Sequence, residues 1–328
     1  MRRLMSEGRS SGQAAGRIVL SVGRGIARRL GLRRQQSHSP RPRDWAIGMF
    51  AGDSPLRLVP LHGGRTPSLT WSDVSDTPSG IIADPFMIRL SGAWYMFFEV
   101  MERPHGRGQI GLAVSRDGID WRYQQIVLAE PFHLSYPYVF EWAGDIFMIP
   151  ETHHDRSVCL YRASPFPVRW SPVGRLLEGA VFSDSSIVRY RDTWWLFTET
   201  SPGTFDELRL FYAGELRGPW REHPASPLVQ RDPRRARPAG RILALGDGLL
   251  RFAQDCHPVY GSAVRAFEVT DLTASRYQER EAADRPVLGG SGTGWNAGGM
   301  HHVDAHRLDD GRWLACVDGW AWPSGRRP

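Results

Sequence analysis

The sequence predicts an all-β fold, a five-bladed β-propeller with an N-terminal strand closing the last blade. Three observations carry this. A sixteen-residue hairpin pattern with a carboxylate at its end recurs along the chain, with starts about 50 residues apart. A second pattern, strand, turn and short strand ending on Trp or Tyr, follows the hairpins. The composition, with 35 Gly, 24 Pro and 13 Trp, suits many short strands joined by tight turns.

The first hairpin is DPFMIRLSGAWYMFFE (84–99), the second YPYVFEWAGDIFMIPE (136–151) and the third DSSIVRYRDTWWLFTE (184–199). Each has an alternating apolar strand, a polar or Gly turn, an aromatic-rich strand and then Glu, the period-two pattern of half-buried strands. A fourth, RPAGRILALGDGLLRFAQD (237–255), and a fifth, HVDAHRLDDGRWLACVD (302–318), are looser and end on Asp. The second halves are IGLAVSRDGIDW (110–121), VCLYRASPFPVRW (158–170), LRLFYAGELRGPW (208–220) and YGSAVRAFEVTDLTASRY (260–277). One unit is thus a four-stranded antiparallel sheet, and such units at this period are propeller blades. The fifth unit stops after two strands, near Trp322. The stretch DWAIGMFAGDSPLRLVPL (44–61) supplies its outer strands and so protects the sheet edges.

This divides the chain into a basic arm (1–43), the propeller (44–322) and a short tail (323–328). The arm carries 11 Arg and one acid, Glu7, so the rest holds 30 basic and 34 acidic residues despite the formal charge of +6. A mildly acidic body argues against nucleic acid, which needs basic side chains gathered on the folded surface. Within residues 14–34, Ile18, Val22, Ile26 and Leu30 recur at helical spacing among arginines. That pattern fits a basic amphipathic helix in peripheral contact with an anionic membrane surface; a disordered basic tail and an organellar transit peptide are the alternatives. No apolar run reaches the ~18 residues that a spanning helix needs. Cys159, Cys256 and Cys316 form no ligand pattern and read as buried free thiols, fitting a reducing, cytoplasmic compartment.

In a propeller the innermost strand starts at one face beside the axis, and the next strand returns to that face. The terminal acids Glu99, Glu151, Glu199, Asp255 and Asp318 are therefore expected to ring one axial funnel, one per blade. Crowded acids need perturbed protonation, arginine partners such as Arg237 and Arg251, or a structural cation at the axis. The reading for each acid alone, a turn cap or a partner to a neighbouring arginine, stays open beside this one. Tyr136, Tyr138 and Trp295 are expected as aromatic walls for a sugar, and the Gly-rich run 289–299 as a flexible loop over the funnel mouth. His153 and His154 beside Glu151 raise a metal site, against which stands the alternation that sends neighbouring strand residues to opposite faces.

The segment IADPF, opening the first blade, and SDSSIV, opening the third, resemble the furanosidase clan of glycoside hydrolases, the arabinanase and β-xylosidase group. The resemblance implies a catalytic base at Asp84 and a second, pKa-tuning aspartate at Asp184. It also implies a general acid, a Glu opening blade four, where this chain has ARPAGR and Arg237. Glu151 or Glu199 would then have to serve as acid, since an inverting glycosidase needs two carboxyl groups. Arg237 suits gripping a carboxylate or phosphate. His301 and His302 match loosely a last-blade histidine that the clan keeps beside the axis, sometimes near a cation. A closer likeness runs through WAIGMF, HLSYPYVFE, IPET, RPAGR and RFAQD, which resemble the N-terminal propeller domain of the glucosamine inositolphosphorylceramide transferases. It implies a glycan, glycolipid or sugar-phosphate ligand and work on glycolipid or polysaccharide assembly. Two functions remain: glycosyl transfer or hydrolysis in the funnel, or recognition without chemistry beside a separate glycosyltransferase.

Overall fold

The computed structural model describes residues 44–322 apart from 65, so the arm with its amphipathic reading over 14–34 and the tail 323–328 lie outside the described residues. Each of the first three hairpins closes through two left-handed residues, Ser91-Gly92, Ala143-Gly144 and Arg191-Asp192. Two positive-φ residues make the turn whose twist matches the flanking strands. Blade one then runs Ser79–Leu90, Ala93–Glu102, Gly108–Ser115 and Arg122–Leu128 from the axis outwards. Blade two is Ser135–Trp142, Asp145–Glu151, Ser157–Ala163 and Trp170–Glu178; blade three is Ser183–Tyr190, Thr193–Glu199, Leu208–Ala213 and Arg221–Glu222. The closing tryptophans of these blades are anchors: Trp121, Trp170 and Trp220 each donate their indole N–H to the turn just before them, at 3.0, 3.0 and 3.1 Å. Their rings cover apolar surface while the N–H stays satisfied.

Blade four is less regular. Its innermost strand is reduced to Leu243–Leu245, followed by Gly248–Asp255, Ala263–Leu272 and Tyr277–Glu281. Upstream, Pro238 bridges Ala253, and Gly240 bridges Val303 of blade five in parallel. At φ 128° and with the Val303 carbonyl against its Cα, Gly240 leaves no room for a side chain. Blade five pairs Val303–Arg307 with Trp313–Ala321, and Asp44–Ser54 joins as third strand over nine consecutive pairs, Asp44↔Ala321 to Gly52↔Trp313. Arg57–Pro60 is its outer strand, so the N-terminal closure expected from sequence is present.

The Gly-rich run departs from expectation. Gly298 N–H donates to the Trp320 carbonyl and Trp320 N–H to that of Gly299, at 2.8 and 3.0 Å. Trp295 lies flat over Gly48 and Gly319, where a Cβ would collide with it. The end of the run is thus pinned onto blade five, where Gly298 and Gly299 allow close approach to Trp320. No helix among the described residues is long and apolar enough to cross a membrane. All three cysteines are free and buried.

Candidate functional site

The first three innermost strands carry a bulge at one equivalent place. Ala83 faces Glu99 and Phe86 faces Phe97, so two residues oppose one; Ser135/Tyr138 and Ser183/Ser186 repeat this against Glu151/Ile149 and Glu199/Phe197. The bulged residues are Asp84, Tyr136 and Asp184, at φ 53°, 45° and 48°. A left-handed non-glycine residue costs about 1–2 kcal/mol and persists where its surroundings over-determine it. Here neighbouring blades do so. Asp84 N–H donates to Asp318 Oδ2 at 3.0 Å, and Asp184 N–H to Glu151 Oε2 at 3.0 Å. At these two bulges the acid ending one blade's second strand thus caps the bulge of the next blade, which is one reason those strands end on carboxylates.

Arg237 sits among these acids. Its Nε lies 2.5 Å from Asp184 Oδ2, and its terminal nitrogens lie 3.6 Å from Glu151 and 3.7 Å from Glu199. Phe205 and Tyr260 cover the guanidinium, with ring centroids at 5.2 and 5.4 Å. On the blade-five side His301 Nδ1 is 2.9 Å from Asp318 and 3.9 Å from Asp84 Oδ1, with its ring packed on Trp45. Among the described residues, Asp84, His301 and Asp318 offer one donor atom each within 4.8 Å of one another. This donor set is where the expected axial cation would fit, but His301 Nδ1 is already hydrogen-bonded to Asp318 and a cation would displace that contact.

Protonation divides by partner. Burial raises Asp84 to about 7, against the lowering pull of His301. Burial also holds Glu99 and Asp184 well above the ordinary carboxylate range and raises Glu199. Burial would raise Glu151 too, but the hydrogen bond from His153 and the charge of Arg237 bring it down to about 2. Asp318 is likewise lowered, His301 outweighing burial. Glu151 and Asp318, each hydrogen-bonded to a histidine, are shifted towards the ionised form, whereas burial shifts Asp84, Glu99, Asp184 and Glu199 towards the protonated form. Asp84 Oδ1 and Glu99 Oε1 are buried and accept no hydrogen bond among the described residues.

Below this ring the axis is filled. Tyr136 OH meets Ser186 Oγ at 2.8 Å and donates to the Gly240 carbonyl, and His302 donates from Nε2 to the Pro85 carbonyl at 2.9 Å. Burial lowers His302 to about 4, so it is neutral. One layer further, Arg241 reaches Asp304 at 2.6 Å and the carbonyls of Met87 and Val139 at 3.2 and 3.0 Å. One guanidinium thereby ties four blades together across the axis.

Several expectations are corrected. Asp255 is not the fourth blade's contribution to the ring: it pairs with Arg265 at 2.8 Å, while Gln254 donates to Asp184 Oδ2 at 2.6 Å. Neighbouring strand residues face opposite ways, and Gln254 follows Phe252 as Glu99 follows Phe97. Arg251 is buried in a two-pronged pair with Glu279, at 2.5 and 2.7 Å, and touches none of the ring acids. Tyr136 and Tyr138 are interior side chains, 0% and 3% exposed, and Trp295 packs on blade five; the aromatic rings beside the acids are Phe205, Tyr260 and Trp45. His153 and His154 sit in a single 3-10 turn, His153–Asp155, which stacks the two rings at 4.0 Å instead of splitting them across a strand. Asp84, Glu99, Glu151, Asp184, Glu199, Arg237, His301 and Asp318 do come together. Gln254, Arg241, Asp304 and His133 went unread. Arg241 had a signal, since it stands in the same RPAGR motif as Arg237.

A five-bladed propeller that gathers buried carboxylates at its axis defines the class, and its fold is that of propeller glycoside hydrolases. It superposes with TM-score 0.54 on an exo-1,5-α-L-arabinanase from a bovine ruminal metagenomic library, at 13% identity, covering 73% of this chain and 91% of that one. An α-L-arabinanase from Cellvibrio cellulosa gives 0.52 at 18% identity, covering 76% and 95%. The chain belongs to the family described as glucosamine inositolphosphorylceramide transferase 1, N-terminal, whose model matches residues 39–320. It is 36% identical over 304 residues to glucosamine inositolphosphorylceramide transferase 1 of Oryza sativa subsp. japonica, and 31% over 302 residues to that of Arabidopsis thaliana. In both, 86% of this chain matches only 40% and 39% of the relative, so the chain spans about two fifths of these proteins.

Proposed function

We propose that the axial ring acts on the sugar of a glycan or glycolipid by glycosyl transfer or hydrolysis, with Asp84 as general base. The observation that carries this is Asp84 itself. Its Oδ1 is buried, accepts no hydrogen bond among the described residues, and belongs to a carboxyl held near 7. A base poised near the working pH is what proton abstraction from an attacking hydroxyl needs. Asp184, on the equivalent bulge, is the second carboxylate, held by Arg237 and Gln254. Phe205 and Tyr260 offer apolar ring faces beside the acids, suited to stacking on a sugar.

The relatives' name points to glucosamine as the sugar. A glycolipid substrate lies in a membrane, where arginines of residues 14–34 would add attraction to anionic lipid. The test is turnover of glucosamine-bearing inositolphosphoryl lipids and of simple glucosaminides by the full chain. Asp84→Asn should abolish product while circular dichroism stays unchanged; undiminished turnover ends this reading.

A second reading is recognition without chemistry, beside a separate glycosyltransferase. Arg237 favours it, standing in the slot where the resemblance to the furanosidase clan calls for an acid Glu. Saturable binding of the same lipids by calorimetry, with no product after long incubation, would select it.

A further inference from the structure

We propose that His153, oriented by Glu151, is the proton donor to the departing oxygen, replacing the glutamate whose slot Arg237 fills. This rests on the ring being an active site.

The acids nearest Arg237 are unsuited to the task. Glu151 has both oxygens engaged: Oε1 takes the hydrogen bond of His153 Nδ1, and Oε2 accepts the Asp184 N–H at 3.0 Å with Arg237 at 3.6 Å. Glu199 accepts the N–H and O–H of Ser201 on Oε1, faces Arg237 with Oε2, and is 0% exposed. Asp184 is clamped by Arg237 Nε and Gln254 Nε2.

His153 differs on each count. Its side chain is 28% exposed while Glu151 beneath it is 4% exposed, so the imidazole joins the buried ring to solvent. With Nδ1–H given to a carboxylate, the tautomer is set and Nε2 is the nitrogen that gives and regains a proton. The other histidines of this corner are placed differently. His133 accepts the Gly108 N–H on Nδ1 at 2.9 Å, so no carboxylate orients it through that nitrogen, and its Nε2 lies 3.4 Å from Glu99 Oε1. His154 is exposed and stacks on His153.

The step balances. The glycosidic C–O bond breaks with its electrons passing to the leaving oxygen, which takes the proton from His153 Nε2. Water or an acceptor hydroxyl forms the new C–O bond at the anomeric carbon and gives its proton to Asp84. Exchange with solvent resets both groups.

The test compares two donors of one aminosugar, methyl glucosaminide and 2,4-dinitrophenyl glucosaminide, with the full chain. The first needs a proton on its leaving oxygen and the second does not. His153→Gln should lower kcat/KM for the methyl donor by about 10²–10⁴-fold and leave the dinitrophenyl donor within about tenfold. Glu151→Gln should show the same split to a smaller degree, whereas Asp84→Asn should lose both donors. Equal losses on both donors in His153→Gln, or no loss on either, overturn the assignment while leaving the active-site reading standing. No turnover of either donor by the unaltered chain overturns both.

Discussion

Arg237 Nε donates to Asp184 Oδ2 at 2.5 Å, joining two residues 53 apart in sequence that enter the axis from blades four and three. The same guanidinium lies within 3.7 Å of Glu151 and Glu199, so one cation offsets three carboxyl groups from two blades. Removing it should leave buried charge without a partner. Arg237→Met is expected to destabilise the fold by about 3–5 kcal/mol. The double variant Arg237→Met/Asp184→Asn should recover a large part of that loss, because the two positions share one interaction. Urea denaturation of the four proteins checks this, and additive losses would mean that the pair is not coupled.

The pH dependence of stability should report the Asp84 proton. Its carboxyl stands at about 7 in the fold against an ordinary value of 3.8. The folded state therefore holds this proton more tightly, and the stability it contributes is fully present below about pH 3.8. That contribution is lost as the pH rises to about 7, by on the order of 4 kcal/mol. Glu151 acts in the opposite sense, its stabilisation present above pH 4.5 and lost as the pH falls towards about 2. In thermal scans the midpoint should fall from pH 4.5 to 7.5, and Asp84→Asn should flatten that slope. An unchanged slope would place the proton on another group.

Gly240→Ala tests the close approach that seats RPAGR. A Cβ there would meet the Val303 carbonyl, and φ 128° is unfavourable for any side chain. The expected loss is at least about 3 kcal/mol, larger than Gly-to-Ala strain alone, because blades four and five must separate. Thermal denaturation of Gly240→Ala beside Gly246→Ala, whose added Cβ meets nothing, isolates the contact.

The repeat and the hairpin turns were legible because they are local, and the closure of blade five followed because the fifth unit lacks its outer strands while 44–61 has strand character without a unit of its own. Strand alternation has a period of two, and the blade period is written into the chain itself. Asp84, Asp184 and three of the terminal glutamates were readable for the same reason, each standing at a fixed place in a repeat. The fourth acid was misplaced because Asp255 and Gln254 are adjacent. A shift of one residue turns a side chain to the other face, and composition does not reveal which register the sheet selects.

Who pairs with whom was decided only by the fold. Arg241 finds its partners 154, 102 and 63 residues away, at Met87, Val139 and Asp304. Arg251 goes to Glu279, leaving Arg237 to the ring. The chain by itself determined five sheets and an acid at the end of most hairpins. Closing them into a circle set which carboxylates meet a histidine and are drawn towards the ionised form, and in which burial outweighs the neighbouring charges, because charge in a low-dielectric interior depends on neighbours within a few ångströms and not on distance along the chain.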